Sequence, residues 1–254
     1  MDIKKENKPK FSIITVTKNS QKYLKKNILS VQNQTFKSFE HIIVDGNSSD
    51  KTKSILRRYK KKLKIITEND KGLYDAMNKG IKIAKGEIIG ILNSDDYYYP
   101  KALKIIKNYF LMNPKIDFVF GSVIKYNQVQ SGFFPWKIYW TFGFYSTHSV
   151  GFFIKKTSQK KLGLYNTKYK YSADYDLFYR MIVKKKMKGI ATKKNEIIGY
   201  FRPGGISDKI KYLDYLNENT KIRLNNKQNY FFVMLIHFIR YLKRFKLIRY
   251  QSRA

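Results

Sequence analysis

The order of apolar and amphipathic runs predicts an α/β fold: a mixed, mostly parallel, doubly wound sheet with flanking helices, followed by a helical C-terminal appendage. Two observations predict it. Between residues 11 and 112, four short β-rich runs alternate with four amphipathic runs, and parallel strands need helical crossovers of that kind. Each β-rich run is also followed at once by polar residues, at the strand ends where open α/β sheets take their ligands.

Residues 11–17 form the first run, apolar enough to be buried on both faces. The helix expected over 21–32 sets Tyr23, Leu24, Ile28 and Val31 near helical spacing. Residues 41–44 give a second strand, closed by the turn-forming Asp45-Gly46-Asn47. Ser49 or Asp50 caps the next helix, which runs to about residue 59. A third strand over 63–67 precedes a helix over 73–84, with Leu73, Met77, Ile81 and Ala84 on one face and Gly86 beyond its end. Residues 87–92 form the fourth strand, and Pro100 opens a helix to about residue 112.

The second half is less regular. Residues 117–126 and 150–154 read as strands, 133–145 as a loop or short helix dense in aromatics, and 173–185 as a helix. With no repeat and no linker, the expected division is a catalytic unit over 1–207 and an appendage over 208–254.

Composition bounds the function. At 254 residues and 43% hydrophobic content, the chain holds enough apolar material for a substantial core, which excludes intrinsic disorder. Cysteine is absent, which excludes disulfides and thiolate metal sites. Residues 1–10 lack the apolar stretch of a secretory signal, and no long apolar run marks a spanning helix. The formal charge of +34 has two explanations that can both hold. Lys, Asn, Ile and Tyr are abundant together, as AT-rich coding produces, and an anionic partner would also favour it. The lysines are spread along the whole chain, which weights coding bias as the main cause.

The acids are more informative than the lysines. Only 18 are present, and several fall on one predicted rim. Thr17, Lys18 and Asn19 follow the first strand and Asp45 the second; Glu68, Asn69 and Asp70 follow the third; Asn93, Ser94, Asp95 and Asp96 follow the fourth. Adjacent carboxylates at the end of a buried strand are costly unless a cation neutralises them. Asp95 and Asp96 are hard oxygen ligands suited to Mg²⁺ or Mn²⁺ on a diphosphate; the plainer alternative is a solvated turn that caps the helix at Pro100. No Gly-x-Gly-x-x-Gly or P-loop follows any strand, which argues against dinucleotide oxidoreductases and P-loop NTPases.

Several ordered segments resemble family 2 glycosyltransferases of the GT-A fold. They are Ile13-Ile14-Thr15-Val16-Thr17-Lys18-Asn19, Val44-Asp45-Gly46-Asn47-Ser48-Ser49-Asp50, the stretch from Glu68 through Asp70, Gly72 and Asn78 to Gly80, Leu92-Asn93-Ser94-Asp95-Asp96, and Ser172-Ala173-Asp174-Tyr175-Asp176-Leu177. The resemblance covers about residues 10–207. It implies that Thr17, Asn19, Asp45 and Asp70 line the pocket for the base and ribose of a nucleotide-sugar donor, with Gly72 and Asn78 shaping its wall. It implies that Asp95 contacts ribose or metal, that Asp96 holds Mg²⁺ or Mn²⁺ on the diphosphate, and that Asp174 is the general base of an inverting transfer. UDP is the commonest base among such relatives, and a UDP-hexose or UDP-N-acetylhexosamine is the default donor. Two departures from the pattern stand out: Asn93 occupies the first position of the usual Asp-x-Asp, and Ala173 precedes Asp174 where many relatives carry Glu. Asp176 is an alternative base, although two residues along a helix it points elsewhere.

Further candidates carry two readings each. His148 touches diphosphate or acceptor, or is structural. Arg202-Pro203-Gly204-Gly205-Ile206-Ser207 is a loop that closes on the donor, with Arg202 or Ser207 near phosphate, or an ordinary turn. Phe133, Phe134, Trp136, Tyr139 and Trp140 are core, or a platform for acceptor or lipid. Residues 230–250 read as one basic amphipathic helix, with Phe231, Met234, Phe238, Tyr241, Phe245 and Ile248 on its apolar stripe and no acid after Glu218. It either lies in an anionic leaflet, placing the enzyme on the inner face of the cytoplasmic membrane beside a glycan or lipid-linked acceptor, or docks on protein. The competing functions are a sugar-phosphate nucleotidyltransferase, which lacks its usual glycine-rich loop after the first strand, and a basic module binding membrane or nucleic acid. An acidic rim has no purpose in the latter, so no specific nucleic-acid partner is expected.

Overall fold

A computed structural model describes residues 8–140 and 144–253, apart from the side chains at 206, 207, 252 and 253. In chain order the elements are β1 (Phe11–Thr17), α1 (Leu24–Gln32), β2 (Phe39–Asp45), α2 (Thr52–Tyr59), β3 (Lys64–Thr67), α3 (Leu73–Ile83) and β4 (Ile88–Ile91). Then come β5 (Tyr97–Tyr98), α4 (Ala102–Met112), β6 (Phe118–Phe120), β7 (Ser122–Lys125), β8 (Gln128–Gln130), β9 (Phe152–Lys155) and α5 (Lys156–Leu162). The chain continues through α6 (Ala173–Tyr179), β10 (Gly189–Ala191), β11 (Ile197–Phe201), α7 (Tyr212–Asn225), α8 (Tyr230–Lys243) and α9 (Phe245–Arg253).

The larger sheet has the order β10-β6-β9-β4-β1-β2-β3. Its β4, β1, β2 and β3 run parallel, whereas β9 is antiparallel to both neighbours. A smaller sheet follows the order β5-β11-β7-β8. Residues alternate across the large sheet as strand geometry requires. Ile14, Val16, Ile42 and Val44 face α3 and α6, while Phe11, Ile13 and Ile43 meet α1, α2 and α4 on the other side. The doubly wound, mostly parallel fold expected from the sequence is thus observed, with both faces covered.

Three elements depart from expectation. The run 117–126 is not one strand: it divides at Gly121 into β6 and β7, which belong to different sheets. Gly121 donates to the Gly151 carbonyl at 2.8 Å, and an added Cβ there would meet Ile198 Cδ1 at 2.2 Å, so the backbone passes between sheets where only glycine fits. The helix over 173–185 is α6 followed by a π-turn at Arg180–Lys184. The single helix over 230–250 breaks at Arg244 into α8 and α9. There α9 folds back, and Gln251 Oε1 accepts the Tyr212 amide at 2.9 Å.

The C-terminal helices pack on the element that carries Asp174. Glu218 of α7 accepts the amides of Lys170, Tyr171 and Ser172, each at 2.7 Å. Asn226 donates to Asp176 at 3.0 Å, and Thr220 meets His237 of α8 at 2.8 Å.

Candidate active site

Parallel register brings the strand-end residues together. Thr17 pairs with Asp45, and Asp45 with Thr67, so the loops after β1, β2 and β3 leave the sheet side by side. Asp45 is fully buried, and Ser48 turns both its amide and its hydroxyl onto the carboxylate. Ser48 Oγ also takes the Asn19 amide at 2.8 Å, and Asn19 Oδ1 accepts the Ser49 amide at 2.9 Å. The loops after β1 and β2 are therefore locked to one another, with Asn19 and Asn47 in the left-handed region that Asn tolerates. Asp70 closes on them: a Cβ at position 46 would fall 2.1 Å from Asp70 Oδ2, so only glycine admits this approach. Gly72 has φ +117, and Asp70 Oδ1 accepts its amide at 3.0 Å, which starts α3. Thr17 Oγ1 is buried and without a partner among the described residues.

The acidic turn after β4 is fixed from three directions. Asn27 of α1 donates to the carbonyls of Asn93 and Asp96 at 2.8 and 3.0 Å, and Ser20 meets Ser94 at 2.8 Å. Asp96 is 2% exposed. Its Oδ2 accepts from Ser149 at 2.7 Å and its Oδ1 from the Arg202 amide at 2.9 Å. Burial, followed by the charge of Asp95, pushes its carboxyl up to about 7. Asp95 is the more open of the two; Arg202 Nη2 reaches its Oδ2 at 3.4 Å, and a Cβ on Gly205 would stand 3.2 Å from the same oxygen. The Arg202 guanidinium lies over the Tyr23 ring at 4.1 Å. The loop that begins at Arg202 thus covers both acids; the side chain of Ser207 lies outside the described residues.

Among the described residues no three His, Cys, Asp or Glu side chains converge. Mg²⁺ typically takes one or two protein carboxylates and completes its shell with water and substrate phosphate. The neighbouring carboxylates of Asp95, 22% exposed, and Asp96, buried, supply the one or two oxygen ligands such an ion needs, and Asn93 Oδ1 in the same turn is buried without a partner among the described residues.

Asp174 stands in the first turn of α6. Tyr74 Oη donates to its Oδ1 at 3.1 Å, Tyr145 Oη to its Oδ2 at 3.3 Å, and the Tyr175 amide to Oδ1 at 2.9 Å. Tyr74 is the second residue of α3, so the helix that opens at Gly72 touches the carboxylate directly. Burial, followed by the Asp174 charge, holds both tyrosines well above the ordinary phenol range, so they remain donors. Asp176, the alternative base, is consumed structurally: Arg180 Nε takes its Oδ2 at 2.9 Å and Asn226 its Oδ1. Asn78 clamps the main chain of Tyr165 through two 2.9 Å bonds. His148 meets Tyr165 Oη at 2.7 Å, and burial lowers its pKa, opposed by Asp174. It reaches the site through Tyr165.

Several residues here had no sequence signal. Ser149 holds Asp96 from a segment where Val150 sits at φ +66, an unusual conformation for a β-branched residue. Lys125 ends β7 in register with Phe201, lies over its ring at 4.3 Å, and feels the charges of Asp208, Asp96 and Asp174. Tyr74 and Tyr145 are two of 21 tyrosines, and composition gave no reason to single them out.

The family model for Glycosyl transferase family 2 matches residues 12–191. An uncharacterised glycosyltransferase of Methanocaldococcus jannaschii is 33% identical over 190 residues, covering 69% of this chain and 65% of the relative, so the chain spans just under two thirds of that protein. A PGL/p-HBAD biosynthesis glycosyltransferase of Mycobacterium tuberculosis is 29% identical over 227 residues, covering 82% and 83% of the two chains. Among solved structures, S. aureus TarS 1-349 in complex with UDP superimposes with a TM-score of 0.66 at 20% identity, over 92% of this chain and 71% of that one.

Proposed function

The chain belongs to glycosyl transferase family 2, and from that premise we propose an inverting, metal-assisted transfer of a hexose or N-acetylhexosamine from a nucleoside diphosphate, UDP by preference, to an acceptor hydroxyl. The observation that carries this reading is the contact between Tyr74 and Asp174. It ties the first turn of α3 to a carboxylate 100 residues away in sequence, and in this reading those two elements are the donor and acceptor sides of one substrate cleft.

Thr17, Asn19 and Asp70 take the nucleoside, with Asp45 acting through the loops it braces. Asp95 and Asp96 would hold Mg²⁺ or Mn²⁺, and the ion would supply charge neutralisation to a departing diphosphate. Arg202, already on the Asp95 side, adds a second positive charge. Asp174 takes the acceptor hydroxyl's proton, and the oxygen attacks the anomeric carbon opposite the leaving group, so that the new C–O bond forms as the old one breaks. A hydroxyl is a weak nucleophile at neutral pH, hence the need for the base. We place the acceptor among glycans or lipid-linked saccharides of cell-surface polysaccharide synthesis, at the inner face of the cytoplasmic membrane. The catalytic unit is taken as 1–207, with 208–254 as its helical support. Neither a nucleotidyltransferase nor a non-enzymatic basic module is favoured by any contact described above.

A thermal-shift panel of UDP-, GDP- and dTDP-sugars with and without Mn²⁺ tests the donor assignment. Stabilisation by one nucleotide that depends on the metal is expected. Asp174→Asn should keep that shift while turnover falls about 10²- to 10⁴-fold. Full turnover in Asp174→Asn refutes the base, and no response to any nucleotide refutes the donor class.

A further inference from the structure

We infer that the outer face of α8 and the aromatic segment 134–140 form one surface that docks on an anionic lipid bilayer. That the bilayer carries the acceptor rests on the transfer reading above; the docking does not.

The helix is apolar on two sides. Its inner side buries Val233 and Ile236 against the protein. Its outer side leaves Phe231, Leu235, Phe238 and Leu242 exposed by 81, 56, 58 and 55%, at the spacing of a single stripe. Trp140, exposed by 54%, continues this surface, because its ring meets Phe232 of α8 edge-on at 4.8 Å, and Trp136, exposed by 63%, precedes it in the short 3₁₀ segment that Trp140 caps. The aromatics that the sequence left between core and platform are therefore outside, except for Phe133, which is partly buried against the core. Contiguous apolar surface of this kind marks an interaction site.

Charge selects the occupant. Lys137 lies over the rings of Phe134 and Trp136, and Lys243, Arg244 and Lys246 are exposed at the break between α8 and α9. No acid follows Glu218 in the sequence. A second copy of the same face would set cations against cations. Bulky apolar residues at the centre, with Trp and Lys around them, match what an interfacial helix presents to headgroups and acyl chains. No helix among the described residues is long and apolar enough to cross a membrane, so the contact is lateral. The surface also adjoins the acceptor side of the cleft: the Ile138 carbonyl accepts from Tyr175 at 3.0 Å, one residue past Asp174.

The chain's two tryptophans, Trp136 and Trp140, both belong to this surface, so intrinsic emission reports its burial directly. The full chain is mixed with phosphatidylcholine vesicles with and without phosphatidylglycerol, followed by flotation and fluorescence. Flotation with the anionic vesicles, a blue shift and weakening by salt are expected. Phe231→Asp/Leu235→Asp should abolish flotation and the blue shift, and Lys243→Gln should weaken partition by roughly fivefold. Absence of flotation and of any shift overturns the proposal, as does a lipid-independent dimer that hides the tryptophans. Nucleotide-sugar stabilisation of the Phe231→Asp/Leu235→Asp protein, measured without vesicles, separates the two failures: vesicle binding without any nucleotide response leaves docking intact and defeats the transfer reading instead.

Discussion

Glu218 offers the sharpest test of whether the C-terminal helices belong to the catalytic apparatus. Its carboxylate receives three amides at 2.7 Å from residues 170–172, the turn that delivers Asp174 to the cleft. Bonds to a charged acceptor contribute about 1.5–3 kcal/mol each at most, and the amides regain water when released, so Glu218→Ala should cost about 2–4 kcal/mol rather than the full sum. For a chain of this size that lowers Tm by very roughly 4–16 °C. Glu218→Gln keeps an acceptor for the Tyr171 and Ser172 amides and should lose about half as much. A turn displaced by about 1 Å costs on the order of 100-fold in rate, so kcat in Glu218→Ala should fall far more than donor KM rises. Differential scanning fluorimetry and donor-saturation kinetics at a temperature well below both melting points measure the two effects separately. A variant that melts early yet turns over at the parental rate would show that the turn holds Asp174 without Glu218.

Two further predictions follow from the same geometry. Tyr145→Phe removes one donor from the Asp174 carboxylate and should reduce kcat about tenfold with donor KM unchanged, since a bond of 3.3 Å to a charged acceptor sits at the low end of about 1.5–3 kcal/mol; steady-state kinetics would show no change if the hydroxyl is idle. His41 is buried on β2 beside Thr15 Oγ1 at 3.0 Å, and burial lowers its pKa from 6.5 to about 3. Above pH 6.5 it is neutral both folded and unfolded. As pH falls from 6.5 toward 3 only the unfolded chain takes the proton, and stability drops by about 1.4 kcal/mol per unit, or about 2 kcal/mol by pH 5. Urea unfolding of His41→Val should lack this share of the acid loss; an identical acid slope would place the titration elsewhere.

The N-terminal half was legible because it obeys local rules. Alternating runs fixed four strands, and polar residues directly after them fell on one rim because parallel register aligns strand ends, as the Thr17–Asp45 pair demonstrates. What escaped was set by long-range packing. Gly121 redirects the chain between sheets on account of Ile198, a neighbour far along the sequence. Tyr74 is visible as a helical residue, but its partner Asp174 is brought by the tertiary fold. Asn78 has the right spacing for a pocket wall yet spends both amide atoms on Tyr165. The apolar stripe of 230–250 was correctly periodic, but periodicity cannot say which side a protein buries; Val233 and Ile236 face inward and Phe231 outward.

The reversed strand β9 has a consequence for assembly. In the larger sheet β6 is hydrogen-bonded only to β9 and β10, so residues 152–155 are the seam that joins the β10-β6 pair to the β4-β1-β2-β3 block. Such a late-arriving central strand closes large loops and delays folding. Its leading end also carries Ser149 to Asp96. Exchange protection of the amides in 152–155 should therefore follow opening of the entire sheet, and a nascent chain acquires its finished acidic turn only once that seam has zipped.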